Sequence, residues 1–197
     1  MPTTRQLTKT EQQILDDLVT GVATDCRASD GSRGRVSGQF IRDVLRGVID
    51  PGSAPDPHGL RIAGAEIRGE LDLSYMTTKI PLSLEDCASH HPISAEDAHL
   101  EALNLNNCHW TTVDCSALNA DGLQVAHTAC FQGFEATSTG AEAVRLVGAS
   151  IGGQLTFQGA HLVSDTGAAL QADGLSVTAG MFCDAVSYTH LTLPTKA

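Results

Sequence analysis

AHLEA LNLNN CHWTT VDCSA LNADG LQVAH TAC, residues 98–130, carries a pattern of period five. The first position of each pentad holds Ala98, Leu103, Cys108, Val113, Leu118, Leu123 and Thr128; the third holds Leu100, Leu105, Trp110, Cys115, Ala120, Val125 and Cys130. Six of the seven first positions and all seven third positions are apolar or cysteine. The second position is polar six times in seven, through His99, Asn104, His109, Asp114, Asn119 and Gln124. A helix would space its apolar residues by about 3.6 and a plain strand by about 2.0. Two inward positions in a period of five fit neither. They fit a coil with short strands and frequent corners, in which each pentad forms one side of a square.

Four such sides make about 20 residues per turn, within the range of repeat architectures. Stacked turns rise by about 4.8 Å, the spacing of hydrogen-bonded strands, so Leu60 to Cys183 allows roughly six turns. The fold class expected is an all-β solenoid, a right-handed quadrilateral β-helix with a small N-terminal α-helical cap. First and third positions should point inward, with each turn stabilised by its neighbours. Longer copies accompany the pentads. Leu60–Leu73 matches Val144–Phe157 at an offset of 84 without a gap, and Ala117–Val125 matches Ala169–Val177 at an offset of 52, with seven of nine positions identical.

Outside the repeat, Thr8-Lys-Thr-Glu11 has capping-box spacing. Ile14, Leu15, Leu18, Val19 and Val22 then follow a helical period. Residues 24–36 read as a polar loop. Ser37 precedes Phe40, Ile41, Val44, Leu45 and Val48, a second amphipathic helix of about three turns. Pro51–Pro57 is a connector with strong breakers. Two short helices cannot bury their apolar faces alone, and the open end of the coil is the surface they would cover. The expected organisation is therefore 1–57 cap and linker, 58–185 solenoid, and 186–197 a tail. Val186-Ser-Tyr-Thr-His-Leu-Thr-Leu-Pro-Thr195 resembles one reading frame of a transposase sequencing adaptor. The tail is thus expected to pack on nothing, the native gene to run on past Ala185, and the truncated coil to self-associate at its open C-terminal end.

The 197 residues hold 12 Lys and Arg against 23 Asp and Glu, a net charge of −11. That balance argues against binding a nucleic-acid backbone, which needs cations. No apolar run approaches the ~18 residues of a membrane span, and Met1–Lys9 has no signal-like apolar core. With no secretion signal the six cysteines are expected reduced, and the location cytoplasmic.

The pentads AHLEA and LNLNN resemble the A-(D/N)-L-x-x units of pentapeptide-repeat proteins. The blocks AGAEIRGELDLS (63–74), LVGASIGGQLTFQGAHL (146–162), ALNADGLQV (117–125) and DGLSVTAGMFC (173–183) resemble more closely a group of actinobacterial repeat proteins often labelled membrane-associated oxidoreductases. That resemblance covers about residues 5–185. It implies a β-solenoid and, for the longer protein, membrane association through sequence absent here. No catalytic motif comes with it. The chain has no Gly-x-Gly-x-x-Gly, Cys-x-x-Cys or haem motif.

Candidate chemistry is sparse. Cys108, Cys115 and Cys130 fall on inward pentad positions and behave there as small hydrophobes. A metal set of Cys87, His90, His91, Cys108 and His109 has one-turn spacing between its cysteines, but His109 points outward when Cys108 points inward, which spoils a zinc tetrahedron. His58, His99, His127 and His161 lie on turns or polar positions. The Asp-Gly pairs at 121–122 and 173–174 suit corner turns better than calcium, which needs six to eight oxygens. Trp110 is assigned to the core rather than to a partner's hot spot. The sequence therefore assigns no catalytic, cofactor-binding or metal residue, and no cofactor. Three functions compete: a non-catalytic scaffold for a protein partner or membrane assembly, an acidic DNA mimic that binds a topoisomerase in place of DNA, and the oxidoreductase of the label. A charge stripe along one face would favour the second, and a bound coloured cofactor the third. The scaffold is the reading adopted.

Overall fold

The computed structural model describes residues 6–184, 186–188 and 191–192. Its body is a parallel β-solenoid of about five turns whose strands line up into four sheets. Along the first turn the chain visits them in order: Leu60–Ala63 on the first face, Ala65–Arg68 on the second, Leu71–Asp72 on the third, and Thr77, bridged to His99, on the fourth. Every strand pair is parallel and in register with the turn above and below. On the first face Leu60, Leu82, Leu103, Ala129 and Leu155 stack in one column. The successive turns are thus 22, 21, 26 and 26 residues long, which is why the coil makes about five turns rather than the six expected from a strict pentad count.

Corners are built by residues whose backbone enters the left-handed region. Gly64, Asp86, Asn107, Gly133 and Gly159 form one column of positive φ between the first and second faces; Tyr75, Asp97, Gly122, Gly148 and Gly174 form another between the third and fourth. Asp, Asn and Gly tolerate that conformation best, so the Asp-Gly pairs are corner turns. Corner N–H groups from Gly64 to Gly159 and from Tyr75 to Gly148 donate to the next turn, as from Asn107 to the Gln132 carbonyl at 2.8 Å and from Gly122 to that of Val147 at 2.8 Å. The corners therefore belong to the same inter-turn ladder as the strands.

Four of the extra residues of each longer turn enter at one edge. Five residues separate Ala88 on the second face from Ile93 on the third, but nine separate His109 from Leu118, Glu135 from Val144 and His161 from Leu170. There the second-face strands lengthen to His109–Val113, Glu135–Thr139 and His161–Ser164 and project as a stacked ridge. This corrects the pentad reading. Val113 is 69% exposed, and Cys115 is only half-buried, because VDCSA lies in the ridge and not on a side of the square. The phase also slips by one after Leu123-Gln-Val125. Ala129 and Phe131 point inward, leaving Thr128 and Cys130 half-buried. The rest of the pattern holds: Leu100, Leu105, Leu118, Leu123 and Val125 are buried, His99, Asp114 and Gln124 exposed, and Asn104 and Asn119 half-buried. A column of buried hydroxyls anchors the ridge. Thr112 and Ser138 both donate to the Cys115 carbonyl, at 2.7 and 2.6 Å, and Ser164 donates to that of Ala141 at 2.8 Å. Such bonds satisfy carbonyls that the ridge takes out of the ladder.

The two copies behave differently. Ala117–Val125 and Ala169–Val177 lie two full turns apart on the same third and fourth faces. Leu60–Leu73 runs over faces one, two and three, whereas Val144–Phe157 runs over three, four and one. The second copy is displaced by three and a half turns, so the same block builds opposite sides of the coil.

Side chains inside the coil are complementary between layers. Trp110 is 1% exposed and stacks in register on Ser89 below and Ala136 above, two small residues that leave room for the indole. One layer on, Phe134 lies 6.3 Å from Trp110 and 6.1 Å from Phe131, which lies 5.0 Å from Phe157. Trp110 thus serves the core, but its indole N–H has no hydrogen-bond partner among the described residues. A buried unpaired donor costs about 1–3 kcal/mol. Trp110→Phe removes that donor along with some contact area, and is expected to shift stability by less than about 1 kcal/mol, against about 3–5 kcal/mol for Trp110→Ala. Urea unfolding of the two variants checks this; equal losses would show that the indole nitrogen is not a liability.

The N-terminal region is more than two helices. α1 (Lys9–Thr20) starts with Thr8 and Glu11 in a reciprocal capping box and stops at Gly21, whose φ is 74°. α2 (Gly38–Leu45) is shorter than expected, because Gly47 turns the chain out of the helix and leaves Val48 62% exposed. Val22 is exposed as well. The supposed loop 24–36 contains two strands. β1 (Thr24–Asp25) pairs with Ile62–Ala63, and β2 (Gly34–Ser37) pairs with Ala65–Arg68. Together they add a rung to the first and second faces, and their edge is covered where Ile14, Leu15 and Leu18 of α1 and Phe40, Ile41, Val44 and Leu45 of α2 join the core. The cap and the coil therefore share one hydrophobic core.

The tail expectation also changes. Val186 packs against the core, Ser187 N–H donates to the Ala160 carbonyl at 2.9 Å, and Leu191–Thr192 pairs with Leu170–Gln171. These residues continue the second and third faces. Residues 193–197 lie outside the described part.

Candidate functional site

The sequence-proposed metal set does not converge. Cys87 and Cys108 stack inside the first–second corner with no exposure, their thiols donating weakly to the Ile62 and Leu84 carbonyls. His90, His91 and His109 stand outside. The wall of the coil separates the sulfurs from the imidazoles. Among the described residues no group of three or more His, Cys, Asp or Glu is placed to hold a metal ion.

Cys26 joins the inner thiols from β1's end of the cap. Burial, reinforced by the neighbouring Cys87, pushes its pKa up to about 12, and burial also raises that of Cys108. A thiol raised in the folded state stabilises the fold fully below the unfolded value near 9, and that contribution is lost as pH rises from there towards 12. Stability should therefore fall along an alkaline limb beginning near pH 9. In the native state an aromatic disulfide reagent is expected to titrate Cys115, Cys130 and Cys183 and to reach Cys26, Cys87 and Cys108 only after denaturation. Six fast thiols would mean that the coil opens readily.

Other polar groups are committed to structure. The Asp121 carboxylate accepts Arg145 Nη2 at 2.5 Å and the Val147 N–H at 3.0 Å, which fills the positions a cation would need. His127 lies 3.2 Å and Lys79 3.4 Å from Glu101, and His109 lies 3.3 Å from Glu135, all on the surface. His58 sits 2.6 Å from Asp56 in the connector. Among the described residues no hydroxyl meets an imidazole and a carboxylate in the arrangement that nucleophilic catalysis requires. The buried hydroxyls of Ser89, Thr112 and Ser138 all donate to backbone carbonyls.

What the faces offer is regular outward columns. The second face presents Glu66, Ala88, His109, Glu135 and His161; the third presents Asp72, Ser94, Asn119, Arg145 and Gln171. Charge is distributed unequally along the axis. Residues 80–184 hold twelve acidic residues and one base, Arg145. The acids divide among the edges. Glu96, Asp97, Asp121 and Asp173 follow the third–fourth corner, interrupted by Val147 and neutralised in part by Arg145, while Asp114, Glu142 and Asp165 stand on the ridge. Sequence reasoning missed this ridge, whose signal was the four extra residues it adds to each turn.

No protein-family model, curated protein or solved structure matches this chain. Among the described residues no helix is long and apolar enough to cross a membrane.

Proposed function

We propose that the protein is a non-catalytic scaffold that presents the rigid faces of its solenoid to a protein partner. The observation that carries this reading is the in-register stacking of outward side chains on four parallel sheets, each backed by a continuous buried core. Such columns are fixed in spacing before a partner arrives, so little conformational entropy is lost on binding. The resemblance to pentapeptide-repeat proteins supports the same role. The acidic DNA-mimic reading draws on the excess of twelve acids over one base in residues 80–184. It is the weaker of the two, because those acids are divided among several edges instead of tracking one face. Among the described residues no convergent group supports the oxidoreductase reading.

Photo-crosslinking tests the scaffold. A photoreactive amino acid would be placed singly at Ser83, Thr137, Gln171 and Gln124, one outward position on each face, in the full chain expressed in its native cells. The expected result is a discrete adduct confined to one face or two adjacent faces. Adducts of equal yield from all four positions, or from none, would overturn the reading.

A further inference from the structure

Ten of the twelve Lys and Arg lie in residues 1–79, and four of these arginines collect where the 24–37 segment meets the second face. They outnumber their carboxylates. Asp86 is shared by Arg27 Nη2 and Arg33 Nη2, each at 2.5 Å, and Asp25 adds a 3.1 Å contact to Arg27. Burial pushes the Asp86 carboxyl up, but the two guanidiniums outweigh it and hold the group below its usual range, fully charged. Glu66 is shared by Arg68 at 3.0 Å and Arg35 at 3.6 Å. Arg68 is the closer partner. Arg35 is left with one long contact and a side chain 74% exposed.

In front of Arg35 lies an open groove of about 840 Å³, lined by Arg33, Arg35, Glu66, His90 and the hydroxyl residues Thr8 and Thr10. Among its described lining residues Glu66 is the one carboxylate. Asp30 nearby is turned into its own loop, accepting the Ser32 N–H at 2.9 Å and hydroxyl at 2.7 Å. A guanidinium with unspent donors beside hydroxyls suits a multi-oxygen anion such as a phosphoryl group, because its planar fork can engage two oxygens at once. On a molecule of net charge −11, such a site must hold its ligand through local contacts, since the long-range field opposes approach.

We propose that this groove binds a phosphate monoester, with Arg35 as the principal ligand and Arg68 as the positioning residue that occupies Glu66. The group could come from a free organophosphate or from a phosphorylated side chain of a partner; the shared chemistry is the dianionic phosphoryl group. The site goes beyond the scaffold reading and stands without it.

The test is an amide-shift titration of the full chain with phenyl phosphate and with a short phosphoserine peptide, using the unphosphorylated peptide as control. Saturable shifts at residues 8–10, 33–37 and 88–90 are expected, with a Kd below about 1 mM for at least one phosphorylated probe. Tighter binding of the phosphopeptide assigns the source to a protein, and equal binding assigns it to a free ligand. Arg35→Ala should weaken binding by about tenfold, Arg35→Lys by less, and Arg46→Ala, outside the groove, not at all. Arg35 is too exposed for its loss to unfold the chain, and the dispersion of the variant's amide spectrum confirms the fold. No saturation by about 10 mM, or undiminished binding by Arg35→Ala, would overturn the proposal.

Discussion

Phe131→Ala is expected to lower the unfolding free energy by about 3–5 kcal/mol. Phe131 is fully buried and belongs to the aromatic group that fills the 26-residue turns, with Phe157 at 5.0 Å and Phe134 at 6.1 Å. Its own layer already contains small residues at Ala129 and Ala136. Its ring neighbours Phe134 and Phe157 are themselves fully buried in the layers they fill, so the cavity should persist. The loss should also spread, because a solenoid layer is stabilised by contacts with its neighbours on both sides. Hydrogen exchange should accelerate in the turns containing Leu105 and Phe157 as well as in the mutated one. Urea unfolding gives the magnitude. A loss under about 1 kcal/mol, with exchange changed only at the site, would mean that the layers are not energetically coupled.

Gly38→Val should release the cap. Gly38 is the first residue of α2, and a Cβ there would overlap the carbonyl of Glu70, a backbone group that cannot step aside. The helix would have to lift from the third-face edge. Phe40, Ile41, Val44 and Leu45, now buried, would then lose part of their packing. Overpacking of this kind costs about 1–3 kcal/mol, and partial exposure of the four side chains adds to it at about 25 cal/mol per Å². Limited proteolysis should cut within residues 46–58, and the amides of residues 60–73 should lose protection, while those of residues 100–125 keep it. Loss of protection throughout would show instead that the cap nucleates the whole coil. Unchanged protection everywhere would refute the tight approach of α2 to Glu70.

The amino-acid sequence by itself determined the class of fold. Two inward positions in five residues, with Asp, Asn and Gly at the corners, allow only a cornered coil, and burial of Leu100, Leu105, Leu118, Leu123 and Val125 follows from the spacing alone. The capping box of α1 was legible for the same reason: its partners are three residues apart. Tertiary structure decided whatever depended on residues distant in the chain. Thr24–Asp25 and Gly34–Ser37 read as loop because each offers the core a single side chain, Thr24 or Val36; only the waiting edge of Ile62–Ala63 and Ala65–Arg68 makes them strands. VDCSA keeps the pentad pattern yet leaves the square, because the neighbouring strands Glu135–Thr139 and His161–Ser164 extend the ladder outward beside it. Of the arginine groove the sequence shows only the clustering of Arg27, Arg33 and Arg35 in one polar stretch. Arg33, Arg35 and His90 meet there because one turn of the coil is laid on another, and the surplus of guanidinium over carboxylate exists only in that superposition.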